Sequence, residues 1–346
     1  MRNSKNMRLN NNGRRKAFCA LLLVAALALA LPACRKESGG GGGSAVAGGG
    51  KSGKAGGKLR VGFSQTEMDG PWRIAETKSM QDEAAKRGHE VVVTNARGDT
   101  ANQVSNLEDL IAQRVDAIFL APREAQGYEG PLQAAKSAGI PIILIDRELK
   151  GPSAGNDYVT FIGSNFIEEG RRAGEWLVKQ TNGKAAIVEL LGSAGASVAN
   201  DRHDGFAEAI KGQPDMKIIA SQDGNFNRAQ GQRVMENLIQ AHGKAITVVY
   251  AHNDEMALGA VQALKSANMN PGKDVIVISV DGQKSALEAI TRGEMNATVE
   301  CNPRFGPVAF DTLEKFLRGE KVDAKIIVPD RFFDSTNAAQ FVGEAY

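Results

Sequence analysis

From Lys58 to Tyr346, short apolar runs alternate with stretches carrying the 3.6-residue period of amphipathic helices, and this alternation restricts the fold more than any other feature. The runs 59–64 (LRVGFS), 90–94 (EVVVT), 117–120 (AIFL), 140–145 (IPIILI) and 158–162 read as strands, with helices at 73–87, at 100–114 and up to Ala138 between them. A second series follows: helix 166–180, strand 185–190, helix 198–211, strand 216–220, helix 228–241 and strand 246–250. It continues with helix 255–267, strand 275–280, helix 284–292, strand 297–300 and helix 303–317, then short apolar pieces at 326–328 and 332–333. Strands that are apolar on both faces and separated by helices imply parallel sheets covered on both sides. Two such series in a chain of 346 residues predict an α/β protein with two doubly wound parallel-sheet lobes.

The first 57 residues have a different character. A basic stretch ends at Lys16, and the fifteen residues 17–31 (AFCALLLVAALALAL) are apolar throughout. That length is short for a membrane-spanning helix and suits a secretory signal. The run closes on Leu31-Pro32-Ala33-Cys34, which looks like a bacterial lipoprotein signal, with Cys34 lipidated and residues 1–33 removed. An ordinary signal peptide with a chance cysteine is the plainer alternative. Lipid chains contribute roughly 0.8 kcal/mol per buried CH₂, so two or more anchor a protein firmly. Residues 34–57 are then a tether rich in glycine, reaching about 25 Å. Within it, 45–52 (AVAGGGKS) fits a relaxed phosphate-loop pattern, but glycine on both sides leaves no strand and helix to converge backbone amides on a phosphate.

Charge and cysteine usage exclude other classes. The chain carries +2 overall, and residues 1–33 hold six bases and no acid, so the remainder carries −4. A mildly acidic body argues against nucleic acid as the partner. Three cysteines exclude a disulfide framework: Cys19 leaves with the signal, Cys34 carries lipid and Cys301 remains a lone thiol. The four histidines, His89, His203, His242 and His252, show no metal-ligand spacing and read as surface residues, with His252 adjoining the cleft as an alternative. No metal, cofactor or catalytic constellation is expected.

In doubly wound sheets, ligands bind beyond the carboxyl ends of the strands. Those positions here hold Asp69, Trp72 and Arg73 after the first strand, Asp146-Arg147 after 140–145, and Arg202 a helical turn beyond 192–198 (GSAGASV). Phe226 lies in 223–228 (DGNFNR), Asn253 follows 246–250, and Asp281-Gly282 follows 275–280. Carboxylates, amides and guanidinium forks match the adjacent hydroxyls of a polyol, each hydroxyl being both donor and acceptor. Trp or Phe covers the C–H face of a sugar ring. Each position also has a plainer reading: Asn253 as a helix cap, Asp281-Gly282 as a turn, Asp146-Arg147 as a surface ion pair, Arg202 as a solvated helix residue, and Trp72 and Phe226 as core. Gly192 and Gly195 offer the alternative of a phosphate cradle at a helix start, though they lack a full dinucleotide fingerprint.

Several stretches together resemble the periplasmic sugar-binding proteins of the ribose/galactose type, which serve ABC importers. They are Asp146-Arg147 after IPIILI, 251–259 (AHNDEMALG), 279–282 (SVDG) and 297–303 (ATVECNP). Within that family the likeness is greatest to the galactofuranose-binding branch, on GFSQ (62–65), GPWRIAET (70–77), EWLVK (175–179), GASVANDR (195–202), GFAEAIK (205–211) and VYAHND (249–254). The resemblance implies the type I periplasmic binding protein fold, its lobes joined by a three-crossover hinge near Ser164, Cys301 and Arg331. One lobe would comprise 58–163 plus 301–331 and the other 164–300 plus 332–346. The resemblance also implies a monosaccharide between Trp72, Arg73, Asp146, Arg147, Arg202, Phe226, Asn253 and Asp281, with Asp69 reaching exocyclic hydroxyls. Two departures stand out: ribose-type members carry glutamine where Cys301 stands, and Glu67 and Met68 replace small residues of the galactofuranose branch. The implied function is a lipid-anchored, monomeric substrate-binding protein outside the cytoplasm that delivers sugar to an ABC permease. Rival readings are a sugar sensor for a chemoreceptor or kinase, a repressor effector domain, which would need a DNA-binding helix pair instead of a secretion signal, and a sugar-converting enzyme.

Overall fold

The computed structural model describes residues 57–346, so the expected signal, Cys34 and the phosphate-loop lookalike at 45–52 lie outside the described residues. The first series is β1 (Arg60–Gln65), α1 (Pro71–Lys86), β2 (Glu90–Asn95), α2 (Thr100–Ala112), β3 (Ala117–Leu120), α3 (Glu129–Ala138), β4 (Ile142–Ile145) and β5 (Phe161–Gly163). The second begins with α4 (Phe166–Thr181), β6 (Lys184–Leu191), α5 (Ser197–Ile210), β7 (Asp215–Asp223), α6 (Arg228–His242), β8 (Val248–Ala251) and α7 (Asp254–Ser266). It ends with β9 (Ile276–Asp281), α8 (Lys284–Thr291) and β10 (Ala297–Glu300), followed by α9 (Gly306–Leu317), β11 (Lys325–Ile327), β12 (Phe332–Asp334) and α10 (Ala338–Phe341).

Two six-stranded sheets result, ordered β11-β5-β4-β3-β1-β2 and β12-β10-β9-β8-β6-β7. The orders are the same when β1 is matched to β6 and each later strand to its counterpart. Val61, Phe63, Ile118 and Phe119 in one sheet, and Ile187, Val188, Val249 and Val277 in the other, are wholly buried, as strands covered on both faces require. Helix starts follow local chemistry. Asp99, Asn165, Asn227 and Asn253 each accept a backbone N–H three residues on, capping α2, α4, α6 and α7, and Pro71 opens α1.

The chain passes between the sheets three times: from β5 to α4, from β10 to α9, and from β11 to β12. On the second passage it returns to the first sheet, where Gly306 on α9 lies so close to α1 that a Cβ there would stand 2.2 Å from the Ser79 carbonyl. The passages are laced to one another. Ser164 Oγ is 3.6 Å from Cys301 Sγ, Asn302 N donates to Asp330 Oδ1 at 3.0 Å, and Glu300 N donates to Arg331 O at 2.9 Å.

Four details depart from the sequence expectation. β12 runs antiparallel to β10, so the second sheet is parallel except at that edge. α9 starts at Gly306 rather than 303, because Asn302 Oδ1 accepts from Arg304 N and Phe305 N bonds Pro303 O, forming a tight turn first. β7 extends to Asp223 through polar residues, as an edge strand with a register shift opposite Ile187/Val188 permits. β5 begins at Phe161, and Tyr158 instead bridges Ala154.

Candidate functional site

The carboxyl ends of β1 and β4 in one sheet, and of β6, β7, β8 and β9 in the other, face a single cavity of about 920 Å³. All nine sequence-predicted residues line it: Asp69, Trp72, Arg73, Asp146, Arg147, Arg202, Phe226, Asn253 and Asp281. Asn253 also caps α7, with Oδ1 accepting from Met256 N at 3.0 Å and Nδ2 donating to Phe226 O at 3.1 Å, and Trp72 and Phe226 also pack against the core.

In the first sheet's wall, Arg73 donates through Nη1 to Glu76 Oε2 at 2.9 Å, and its Nη2 forms an ion pair with Asp146 Oδ2 at 2.7 Å. Burial works against its charge, but Asp146, Glu76 and Glu67 hold it protonated. Arg147 is 3% exposed and donates through Nη1 to Arg123 O at 2.9 Å, while its Nε has no hydrogen-bond partner. Burial and the neighbouring Arg73 charge lower its pKa to about 10, so it stays charged at neutral pH. Trp72 stands half-buried, Nε1 donating to Cys301 O at 2.8 Å, with the Arg73 guanidinium 4.6 Å from its ring centroid.

In the second sheet's wall, Arg202 donates through Nε to Glu169 Oε2 at 2.7 Å and through Nη1 to His252 O, and its Nη2 is 3.9 Å from Asp281 Oδ1. Asp281 Oδ2 is buried without a partner. Burial, then the charge of nearby Asp254, raises the Asp281 pKa well above the usual carboxylate range. Asp254 itself is pinned by Ser279 Oγ, Thr298 Oγ1 and Gln283 N. The Phe226 ring spans the two walls, 5.5 Å from the Arg147 guanidinium and 6.0 Å from that of Arg202.

Five wall residues hold backbone conformations that L-residues rarely adopt: Arg97 (φ 55°), Asp146 (φ 65°), Asn225 (φ 54°), Phe226 (φ 56°) and Asp281 (φ 134°). Such strain persists where surrounding structure enforces it, and it aims these side chains at the cavity. Gly192 serves the same end. A Cβ there would lie 2.0 Å from the Phe226 ring, so this glycine makes room for an aromatic side chain and the alternative of a phosphate cradle gains no support.

The histidine expectation needs correction. His252 is wholly buried behind the wall, not on the surface and not lining the cavity. Gly192 N points at its Nδ1 (3.4 Å), which leaves the Nε2 proton facing Glu189 Oε1 at 3.0 Å. Burial lowers its pKa and keeps it neutral. Burial alone would raise Glu189, but hydrogen bonds from His252, Ser221 and His203 pull it down to about 2. His89, His203 and His242 are each partly buried. Sequence reasoning also missed Glu76 and Glu169, which lie on helices behind the wall where no strand-end rule points. Among the described residues, no cluster of His, Cys, Asp and Glu is arranged to hold a metal ion.

Buried carboxyls give the ligand-free protein a definite pH response. Burial raises Glu76, Asp254 and Asp330 each to about 7, against lower values in an unfolded chain. The folded state therefore holds protons the unfolded state has released, and this stabilisation is complete below about pH 4 and lost as pH rises through 7. His252 acts oppositely, but only below its ordinary value of about 6.5. Between pH 6.5 and 8 stability should thus fall by on the order of 2 kcal/mol, several degrees in Tm. Differential scanning calorimetry of the unliganded protein checks this, and Glu76→Gln should flatten the slope. A Tm that rises across that window contradicts these assignments.

Comparison with known proteins agrees with this geometry. Residues 61–321 match the family described as periplasmic binding protein domain. The chain is 46% identical over 273 residues to the galactofuranose-binding protein YtfQ of Escherichia coli (strain K12), covering 78% of this chain and 85% of that protein. It is 33% identical over 273 residues to the ribose import binding protein RbsB of Bacillus subtilis (strain 168), covering 79% of this chain and 86% of that one. A solved structure of the periplasmic binding protein component of the arabinose ABC transporter from Shewanella sp. ANA-3, bound to alpha and beta-L-arabinofuranose, superposes with a TM-score of 0.80. Its sequence identity is 40%, over 82% of this chain and 95% of that chain. These relatives are binding proteins, and the chain is not an enzyme. It belongs to the periplasmic binding protein domain family and is a sugar-binding periplasmic protein of the ribose/galactofuranose type.

Proposed function

We propose that the cleft captures one monosaccharide, galactofuranose-like or a related pentose or hexose, and that the chain delivers it to an ABC permease in the cytoplasmic membrane. The observation that carries this reading is the make-up of the wall. Three buried arginines (Arg73, Arg147, Arg202) stand against four buried carboxyls (Asp146, Asp281, Glu76, Glu169), with burial raising Asp281, Glu76 and Glu169 toward the neutral form. This wall leaves Arg147 Nε and Asp281 Oδ2 without protein partners. Uncharged neighbouring hydroxyls answer both. A hydrogen bond to a charged group contributes roughly 1.5–3 kcal/mol, and a micromolar ligand needs only about 8 kcal/mol in all.

Capture works through closure of two lobes, 58–163 plus 301–331 and 164–300 plus 332–346, about the three crossovers. A ligand touching both walls stabilises the closed form because it binds that form better. Direct contacts assist it: Ala125 N donates to Gly195 O at 2.9 Å, and Glu148 N donates to Ser197 Oγ at 3.1 Å, each joining a loop beside one sheet to the segment that enters α5 beside the other. Loss of one neutral hydrogen bond is worth about 1 kcal/mol, so Ser197→Ala should raise Kd roughly fivefold. Stopped-flow measurements should assign the change to faster release. An unchanged release rate would remove Ser197 from the closure mechanism.

The chain works as a monomer, tethered through a lipid on Cys34, with no cofactor and no nucleic-acid partner. Isothermal titration calorimetry against a panel of aldoses at mutarotational equilibrium tests the central claim. Expected is one site with a preference for sugars that populate furanose forms, and heat evolved by none of the panel refutes the reading. Cys34→Ser should move the protein from the membrane fraction to the soluble fraction. Continued sedimentation with lipid would refute the anchor and leave the cleft untouched.

A further inference from the structure

The identical strand orders put Arg73 and Arg202 at corresponding places, following β1 and β6, and Asp146 and Asp281 at corresponding places, following β4 and β9. Behind each arginine lies a glutamate that no motif marks. Glu76 stands in the second turn of α1, wholly buried, with Oε2 accepting from Arg73 Nη1 at 2.9 Å and from Gln65 Nε2 at 2.8 Å. Glu169, in the first turn of α4 and 1% exposed, accepts from Arg202 Nε at 2.7 Å through Oε2. In both, Oε1 is buried without a partner, so neither carboxyl is held by a richer network of its own.

A guanidinium has five N–H donors in a fixed fork, and its orientation decides which of them face a ligand. With Nε on Glu169 and Nη1 on the His252 carbonyl, Arg202 can only turn Nη2 toward Asp281, and it stops at 3.9 Å. Both partners thus keep hydrogen-bonding capacity for a third group between them. Released from Glu169, the fork is free to swing onto Asp281 and close a direct ion pair, which would use up both. We propose that Glu169 is a positioning residue of the sugar site: it holds Arg202 from behind so that the cleft-facing donor stays available. This inference rests on reading the cleft as a sugar site.

The test measures Kd by calorimetry on the full chain, with D-galactose and L-arabinose at mutarotational equilibrium as probes. Glu169→Ala should raise Kd at least tenfold. Glu169→Asp, which keeps the charge but withdraws the carboxylate by one methylene, should also weaken binding and serves if the alanine variant does not fold. Glu169→Gln retains an acceptor oxygen at the same reach and should stay within threefold of the unsubstituted protein. In an Arg202→Ala background, Glu169→Ala should change Kd less than twofold, whereas a purely structural role gives the same factor in both backgrounds and no rescue by glutamine. If the unsubstituted protein binds and both Glu169→Ala and Glu169→Asp bind equally well, this inference fails alone. If the unsubstituted protein binds neither probe, the sugar reading fails and takes this inference with it.

Discussion

Asp281→Ala should weaken sugar binding by at least tenfold while the ligand-free protein melts no lower than before. Asp281 contributes a buried, unpartnered Oδ2 and faces Arg202 Nη2 across 3.9 Å, the gap in which a hydroxyl makes two bonds at once. Removing a buried hydrogen-bond partner costs roughly 1–3 kcal/mol, and about 1.4 kcal/mol is tenfold, so losing a carboxyl that makes more than one bond costs tenfold or more. Stability should not suffer, because the Asp281 carboxyl is held out of water beside Asp254 and its charged form is disfavoured by both. Asp146→Ala should weaken binding at least as much but also lower Tm, since it leaves Arg73 and Arg147 short of a counter-charge in a buried wall. Calorimetric affinity unchanged in both variants would remove the cleft assignment.

Gly205→Ala should produce the largest stability loss. α4 and α5 cross through reciprocal glycines: a Cβ on Gly205 would stand 2.0 Å from the Ile167 carbonyl, and one on Gly170 would stand 2.1 Å from the Arg202 carbonyl. Both obstacles are backbone, so one methyl forces the helices apart. Overpacking typically costs about 1–3 kcal/mol, and a rigid obstacle puts this case at the upper end, roughly 10 °C in Tm. Gly212→Ala is the control, with nothing within 4 Å of its Cβ position. The same separation should stretch the bond between Glu169 on α4 and Arg202 on α5, so affinity should fall together with stability. A Gly205→Ala protein melting within 2 °C of the unsubstituted one contradicts this account.

Strand and helix succession was legible because burial on both faces of β1, β3, β6 and β8 leaves largely apolar runs. The strand-end rule then led to Asp146, Arg202, Asn253 and Asp281, since polar residues directly after apolar runs have few other duties. What escaped lay where a one-dimensional pattern is silent. Glu76 and Glu169 look like ordinary acids of an exposed helix face until the fold turns them inward. His252 looked like a surface residue because only pairing with Glu189, 63 positions away, makes its burial tolerable. The antiparallel edge strand β12 is too short for periodicity to orient, and the return of α9 to the first sheet came from family resemblance alone.

The triple passage between sheets also bears on durability outside the cytoplasm, where proteases are met. A nick in any single crossover leaves two covalent connections standing, reinforced by the bonds from Asn302 to Asp330 and from Glu300 to Arg331. Severed once, such a protein would still hold its halves in register and go on opening and shutting, so fragments on a denaturing gel would overstate the damage done to binding.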